Sequence, residues 1–140
     1  KNGKRCSCLM DENYKIEIIS PEKIIFSEEV KMAVLPAYEG YMSILKQHIP
    51  IVTFLRPGIV KLQKKDENSE EFFIEDGIVE FFNDTLVLLS SSVINKKELT
   101  KNHISELNKK IESRLSKGNI SDEDQYILNH KLDALKELGV

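Results

Sequence analysis

The sequence predicts an antiparallel β-sandwich followed by a two-helix hairpin. Three observations carry that expectation. From Tyr14 to Leu89, short runs of apolar residues, several alternating with polar ones, recur at close spacing between Gly, Pro, Asn and Asp, as in antiparallel sandwiches and barrels. After Ser90-Ser91-Ser92 the apolar spacing lengthens to three and four residues, the period of a helix face. Gly118-Asn119 then interrupts that pattern once, and a short connection implies antiparallel helices. The chain divides accordingly into residues 1–13, a sandwich over 14–93 and a hairpin over 94–140.

Length and composition suit this reading. A chain of 140 residues holds one domain, or one small domain with an appendage. Its 41% apolar and 31% charged residues describe an ordinary globular protein. A net charge of −3 argues against nucleic-acid binding, which calls for a basic excess. No apolar run approaches the ~18 residues of a membrane span. Cys6 and Cys8 are too close in sequence to pair well, and no further Cys is present to build a zinc site. A reducing compartment fits best.

Residues 1–13 are polar and aperiodic, without the apolar core of a signal peptide. Disorder is expected there, and Met10 is a plausible true start. Tyr14, Ile16 and Ile18 alternate with Lys15 and Glu17 as a half-buried strand, which Pro21 ends. The next strand begins at Lys23–Phe26, with Val30, Met32 and Val34 alternating against Lys31 and Ala33. Met42–Leu45 and Ile51–Leu55 are short apolar runs, and Ile59, Lys61 and Gln63 interleave with Val60 and Leu62. Asp66–Glu71 reads as an acidic turn. Phe72–Ile74, Ile78–Phe82 and Leu86–Leu89 are further strands, parted by the turn formers Asp76-Gly77 and Asn83-Asp84.

Asn95, with Glu98 three residues on, reads as a capping box for the first helix. Its stripe is Leu99, Ile104, Leu107, Ile111 and Leu115. Ser121 caps the second helix, with Asp122, Glu123 and Asp124 at its positive end and Leu128, Leu132, Leu135 and Leu138 as its stripe. Both stripes are narrow, so weak and reversible docking is expected.

Val34–Gly58 organises the chain. It holds Pro36, Pro50, Pro57, Gly40 and Gly58, which set turns, and the exposed-type residues Tyr38, Glu39, Tyr41, Lys46, Gln47 and His48. It reads as a docking surface on a loop-and-strand frame. Tyr38 and Tyr41 suit either an interface or packing over the sandwich end. No catalytic array accompanies His48. His103 and His130 lie on different helices without Cys or carboxylate partners at metal spacing, so solvated helix positions are expected. The acidic runs Glu28-Glu29, Glu70-Glu71 and Asp122–Asp124 read as solvated edges. No phosphate loop and no basic stripe with aromatics is present.

Ser20-Pro21-Glu22, Phe26-Ser27, Leu35-Pro36, Glu39-Gly40, His48, Pro50 and Pro57-Gly58 stand in an order and spacing that resembles the ε subunit of F-type ATP synthases, δ in mitochondria. Phe72–Ser90 resembles that family's second conserved block, and the likeness runs from about Tyr14 to Ser92. The family's L-P-G-H stands here as Leu45-Lys46-Gln47-His48, and its Gly-Gly as Asp76-Gly77. The resemblance implies a sandwich and hairpin in a non-catalytic subunit of the central rotor. It implies no cofactor and no metal. Partners would be the γ subunit and the membrane-embedded c-ring, with the α and β subunits within reach of the hairpin. Such a subunit couples proton flow to ATP synthesis, and its hairpin can restrain ATP hydrolysis. It is peripheral to the membrane, on the cytoplasmic face in bacteria and the matrix side in mitochondria. Glu39, Gly40, Tyr41, Met42 and His48 would meet the c-ring, and Ser20 and Thr53 would face γ. Some relatives bind ATP through I/L-D-x-x-R-A at the hairpin. Leu99–Ile104 lacks its Asp, Arg and Ala, so no ATP binding by this motif is expected. The competing reading is a free-standing sandwich that binds a small ligand under a helical lid.

Overall fold

The computed structural model describes residues 13–139. Residues 1–12, Val140 and the Leu138 side chain lie outside the described residues, and with them the readings of Cys6, Cys8 and Met10. Nine strands form the body: β1 (Tyr14–Ile19), β2 (Ile24–Ala37), β3 (Gly40–Leu45), β4 (Ile51–Leu55), β5 (Gly58–Lys64), β6 (Ser69–Ile74), β7 (Gly77–Phe82), β8 (Thr85–Leu89) and β9 (Val93–Asn95). A 3₁₀ turn (Lys96–Glu98) leads to helices α1 (Lys101–Ser116) and α2 (Asp122–Gly139). The predicted sandwich and hairpin are both present.

The 14-residue β2 serves both layers. Its first half pairs with β1, and its second half lies between β3 and β5. One layer runs β1-β8-β7-β4; the other runs β3-β2-β5-β6-β9. All pairings are antiparallel except β1 with β8. Between the layers sits a core that includes Ile16, Ile18, Leu35, Ile44, Leu55, Leu62, Phe72, Ile74, Phe81 and Leu88. Each fully buried large side chain contributes about 1.5–3 kcal/mol of transfer free energy.

Three local expectations are corrected. Val30, Met32 and Val34 do not share a face: Val30 is buried, then Ala33, Leu35 and Ala37. An irregularity in the β2–β5 pairing between Val30 and Met32 inserts Lys31, which reverses the alternation beyond it. Glu70 and Glu71 belong to β6, opposite Leu62 and Lys61; the turn proper lies before Ser69, with Glu67 at φ 73°. Asn95 caps only the 3₁₀ turn, accepting from the Lys97 amide, whereas Thr100 caps α1 by accepting from the His103 amide. Ser121 does cap α2, through the Asp124 amide at 3.1 Å. Val34–Gly58 combines strand and turn, as its loop-and-strand reading expects, with Leu35, Pro36 and Ala37 buried.

The hairpin lies on the outside of the second layer. Ile59, Phe73 and Ile94 face each other across β5, β6 and β9. They form a second apolar cluster with Ile104, Ile111, Leu128, Ala134 and Leu135. This explains why Phe72–Ile74 is apolar throughout: Phe72 and Ile74 fill the sandwich, and Phe73 faces the helices.

Candidate functional site

The two layers have different outer faces. On the second, the hairpin covers the row Ile59–Phe73–Ile94. On the first, the register sets Phe54 beside Ile78, Ile78 beside Leu89 and Leu89 beside Ile19. This gives an apolar row across all four strands. No element of the described residues covers it: Phe54 is 64% exposed and Leu89 47%. Val52, also 64% exposed, extends the face, as does Phe82 by alternation along β7. Glu80 and Glu17 flank the row through the pairs Val52–Glu80 and Glu17–Val87. Exposed large apolar side chains in one contiguous patch mark an interaction surface.

A shallow cavity of about 630 Å³ lies along this row, between Phe54, Ile78, Leu89, Ile19 and Ser20. Asp76 shapes its rim. The Asp76 carboxylate accepts from the hydroxyls of Ser90 and Ser91 and from the Ser91 amide. Ser90 also donates to the Asp76 carbonyl at 2.6 Å. The serine run after β8 is therefore a tied corner.

Ser20 stands at the cavity's edge. Its hydroxyl and amide both bond the Lys23 carbonyl, at 3.1 and 2.9 Å, closing the Ser-Pro-Glu turn. Thr53 alternates onto the inner side of β4 with Ile51 and Leu55, opposite Val79. Its neighbours Val52 and Phe54 point outward, and the sequence reading named neither. Their signal was the period of two itself, which puts Phe54 opposite the core residue Leu55.

The other candidate residues separate into two places. Glu39, Gly40, Tyr41 and Met42 form the β2–β3 turn and the start of β3. Gly40 has φ +135°, open only to glycine, so the turn needs it. His48 lies beyond the far end of β3, about 17 Å along the strand at ~3.4 Å per residue. There its ring contacts Phe81 edge-on at 6.0 Å, and its Nδ1 lies 2.7 Å from the Ile49 carbonyl oxygen. The adjacent Gln47 amide donates to Asp84 at 2.9 Å.

The β2–β3 turn also meets the hairpin. The Tyr126 hydroxyl of α2 donates to the Tyr38 carbonyl, and the two rings stack. Tyr126 in turn packs edge-on against His130 at 4.3 Å. Beneath them Arg56, only 8% exposed, places its guanidinium 5.0 Å above the Tyr41 ring and donates to the Pro57 carbonyl. Burial, and then the Arg56 charge, hold the His130 imidazole below its ordinary pKa, against a smaller opposing effect of Asp133. His130 is thus partly buried, unlike the solvated position expected for it; His103 is exposed. Lys131 adds an ion pair with Glu75 at 2.6 Å. Sequence reasoning missed Arg56 and Tyr126; an arginine inside the apolar Phe54–Gly58 run was the one available signal.

Chemically, these surfaces offer apolar, aromatic and hydrogen-bonding groups suited to binding. Among the described residues no group of three His, Cys, Asp or Glu could hold a metal. No helix of the described residues is long and apolar enough to cross a membrane.

Comparison with known proteins agrees with this geometry. Residues 13–96 match the family model of the ATP synthase delta/epsilon chain β-sandwich domain. The ATP synthase epsilon chain of Pelagibacter ubique is 45% identical over 131 residues, spanning 93% of this chain and 100% of its own length. That of Allorhizobium ampelinum is 31% identical over 89% of this chain and 88% of its own. Among solved structures, a chain of the Euglena gracilis mitochondrial ATP synthase superposes with a TM-score of 0.75 at 14% identity, covering 90% of this chain and 81% of its own. A chain of the Tetrahymena thermophila mitochondrial ATP synthase central stalk and c-ring gives 0.61 at 14% identity, over 90% and 96%.

Proposed function

We propose that this chain, which belongs to the ATP synthase delta/epsilon family, is a non-catalytic subunit of the central rotor. It joins the γ subunit to the c-ring, so that torque from proton flow reaches the catalytic head. The observation that carries this reading is the uncovered row Phe54–Ile78–Leu89–Ile19. A face of this kind is costly to leave in water and needs an apolar partner.

The γ subunit takes this face. Ser20 sits at its border, and Thr53 acts from beneath by holding Val52 and Phe54 outward. The c-ring meets Glu39, Gly40, Tyr41 and Met42 as one compact contact, where a carboxylate and an aromatic ring project from a rigid turn. His48, at the other end of β3, makes a separate contact. The hairpin restrains ATP hydrolysis when it leaves the sandwich and reaches the α and β subunits. Attachment is peripheral, on the cytoplasmic face of a bacterial inner membrane, or on the matrix side in a mitochondrion. The alternative, a free-standing ligand binder with a helical lid, is not favoured by the family match. Co-expression with γ from the same source tests the reading: a stable complex supports it, and a monomer indifferent to γ removes its main support.

A further inference from the structure

We propose that Glu80 is the specificity contact of the uncovered face, and that the γ subunit meets it with a basic side chain. This inference rests on the rotor reading and names the chemistry that the partner must bring. Glu80 is the middle outward residue of β7, between Ile78 and Phe82. Across the strands it stands opposite Val52 of β4 and Val87 of β8, and Cβ atoms in such pairs are about 5 Å apart. Its four neighbours on the face are therefore all apolar. Val52 and Phe82 are 64% and 61% exposed, and Glu80 is exposed with them.

No charge on this face answers it. Among the outward residues of β1, β8, β7 and β4 the one cation is Lys15. Its Nζ lies 3.6 Å from the carboxylate of Glu17, the other acidic residue of the face. Glu17 thus has its counter-ion on its own strand. Among the described residues no side chain pairs with the Glu80 carboxylate.

A partner that seals the row Phe54–Ile78–Leu89–Ile19 also covers Glu80, which lies about 7 Å along β7 from Ile78. Covering it strips water from an ionised group, a heavy cost unless a cation and its hydrogen bonds replace that water. The apolar row accepts any surface of matching shape. Glu80 instead rejects one that brings an apolar or acidic group to this point. A single charge within an apolar field also fixes the register of two surfaces that could otherwise slide. Glu17, already paired, makes no such demand.

Binding kinetics of the full chain with its own γ subunit test this, in parent, Glu80→Gln, Glu80→Lys and Glu17→Gln forms whose folding circular dichroism verifies. Glu80→Gln keeps the shape and removes the charge. Its dissociation rate is expected to rise at least ~10-fold, with an association rate within about twofold of the parent. Glu80→Lys should lose the complex, and Glu17→Gln should stay within about threefold of the parent. Among γ variants with single basic residues changed to Glu, one should restore binding to Glu80→Lys; if none that folds does so, the basic contact is refuted. A parent chain that ignores γ removes the rotor reading and this inference with it. A parent that binds γ while Glu80→Gln dissociates as slowly overturns the inference alone. So does an equal loss in Glu17→Gln, or a loss confined to the association rate, which would make Glu80 a source of long-range steering.

Discussion

The hydroxyl of Tyr126 donates to the carbonyl oxygen of Tyr38 at 3.0 Å, across 88 residues of sequence, and the two rings stack with centroids 6.0 Å apart. One residue lies on the second helix and the other in the turn proposed to meet the c-ring. Tyr126→Phe keeps the stacking and removes the hydrogen bond, which contributes about 1 kcal/mol. Hydrogen exchange should then show roughly fivefold more frequent opening of α2. Sandwich amides should be unaffected, and equal loosening of both parts would mean that the hairpin and sandwich unfold as one unit.

Two glycines are needed for different reasons. A Cβ on Gly58 would stand 2.5 Å from Cβ and 2.9 Å from Cγ of the buried Pro36, whereas a Cβ on Gly40 meets nothing within 4 Å but sits at φ +135°. Gly58→Ala should cost about 1–3 kcal/mol through overpacking, and Gly40→Ala about 1–3 kcal/mol through backbone strain. Urea unfolding separates the mechanisms. Adding Pro36→Gly should couple favourably with Gly58→Ala and not with Gly40→Ala. Additive behaviour at Gly58 would show that the clash relaxes elsewhere.

Gln47 holds φ 66° where the resembling family carries glycine. The left-handed conformation costs a side-chain-bearing residue about 1–2 kcal/mol, offset in part by the chain entropy that glycine adds to the unfolded state. Gln47→Gly should therefore stabilise the chain by roughly 0.5–1 kcal/mol. The bond from its amide to Asp84 survives, since the backbone donates it. A lower urea midpoint would instead assign the Gln47 side chain a contact of its own.

Tyr14 is 2% exposed, and its hydroxyl donates to the Ile44 carbonyl at 2.6 Å. Burial pushes its phenol far above the usual tyrosine range. A pKa raised by folding stabilises the protein below the unfolded value of ~10, and that stability is lost as pH rises above it. Unfolding followed by circular dichroism should show a fall in stability beginning near pH 10. Tyr14→Phe should lose about 1–2 kcal/mol at neutral pH, from the unpaired carbonyl, and should show a smaller alkaline decline. An identical decline would assign the transition to lysines or other tyrosines.

Much of this architecture was legible in sequence because alternation and helical spacing report burial directly. Tyr14, Ile16 and Ile18 are buried as their pattern requires, and Ile104, Ile111, Leu128 and Leu135 form the helix interface. Patterns failed where one residue changed parity or where a run served two faces. The irregularity at Lys31 reversed β2 beyond Val30, and Glu70 and Glu71 looked like a turn because their strand edge is polar. The candidate surfaces were less legible for a related reason. Alternation separates inside from outside, but cannot tell that Ile59, Phe73 and Ile94 gain a helical cover while Phe54, Ile78 and Leu89 do not. Nor does helical spacing reveal that Tyr126 reaches a turn so distant in sequence.

The rotor assignment rests most directly on the uncovered face of β1-β8-β7-β4. The decisive measurement is size exclusion of this chain co-expressed with its own γ subunit, in parent, Phe54→Glu and Leu89→Glu forms. Both residues are exposed, so the variants should fold, as circular dichroism would verify. The account predicts a stable complex for the parent, and its loss or marked weakening in both variants. A parent chain that elutes alone, or folded variants that retain γ undiminished, would contradict it.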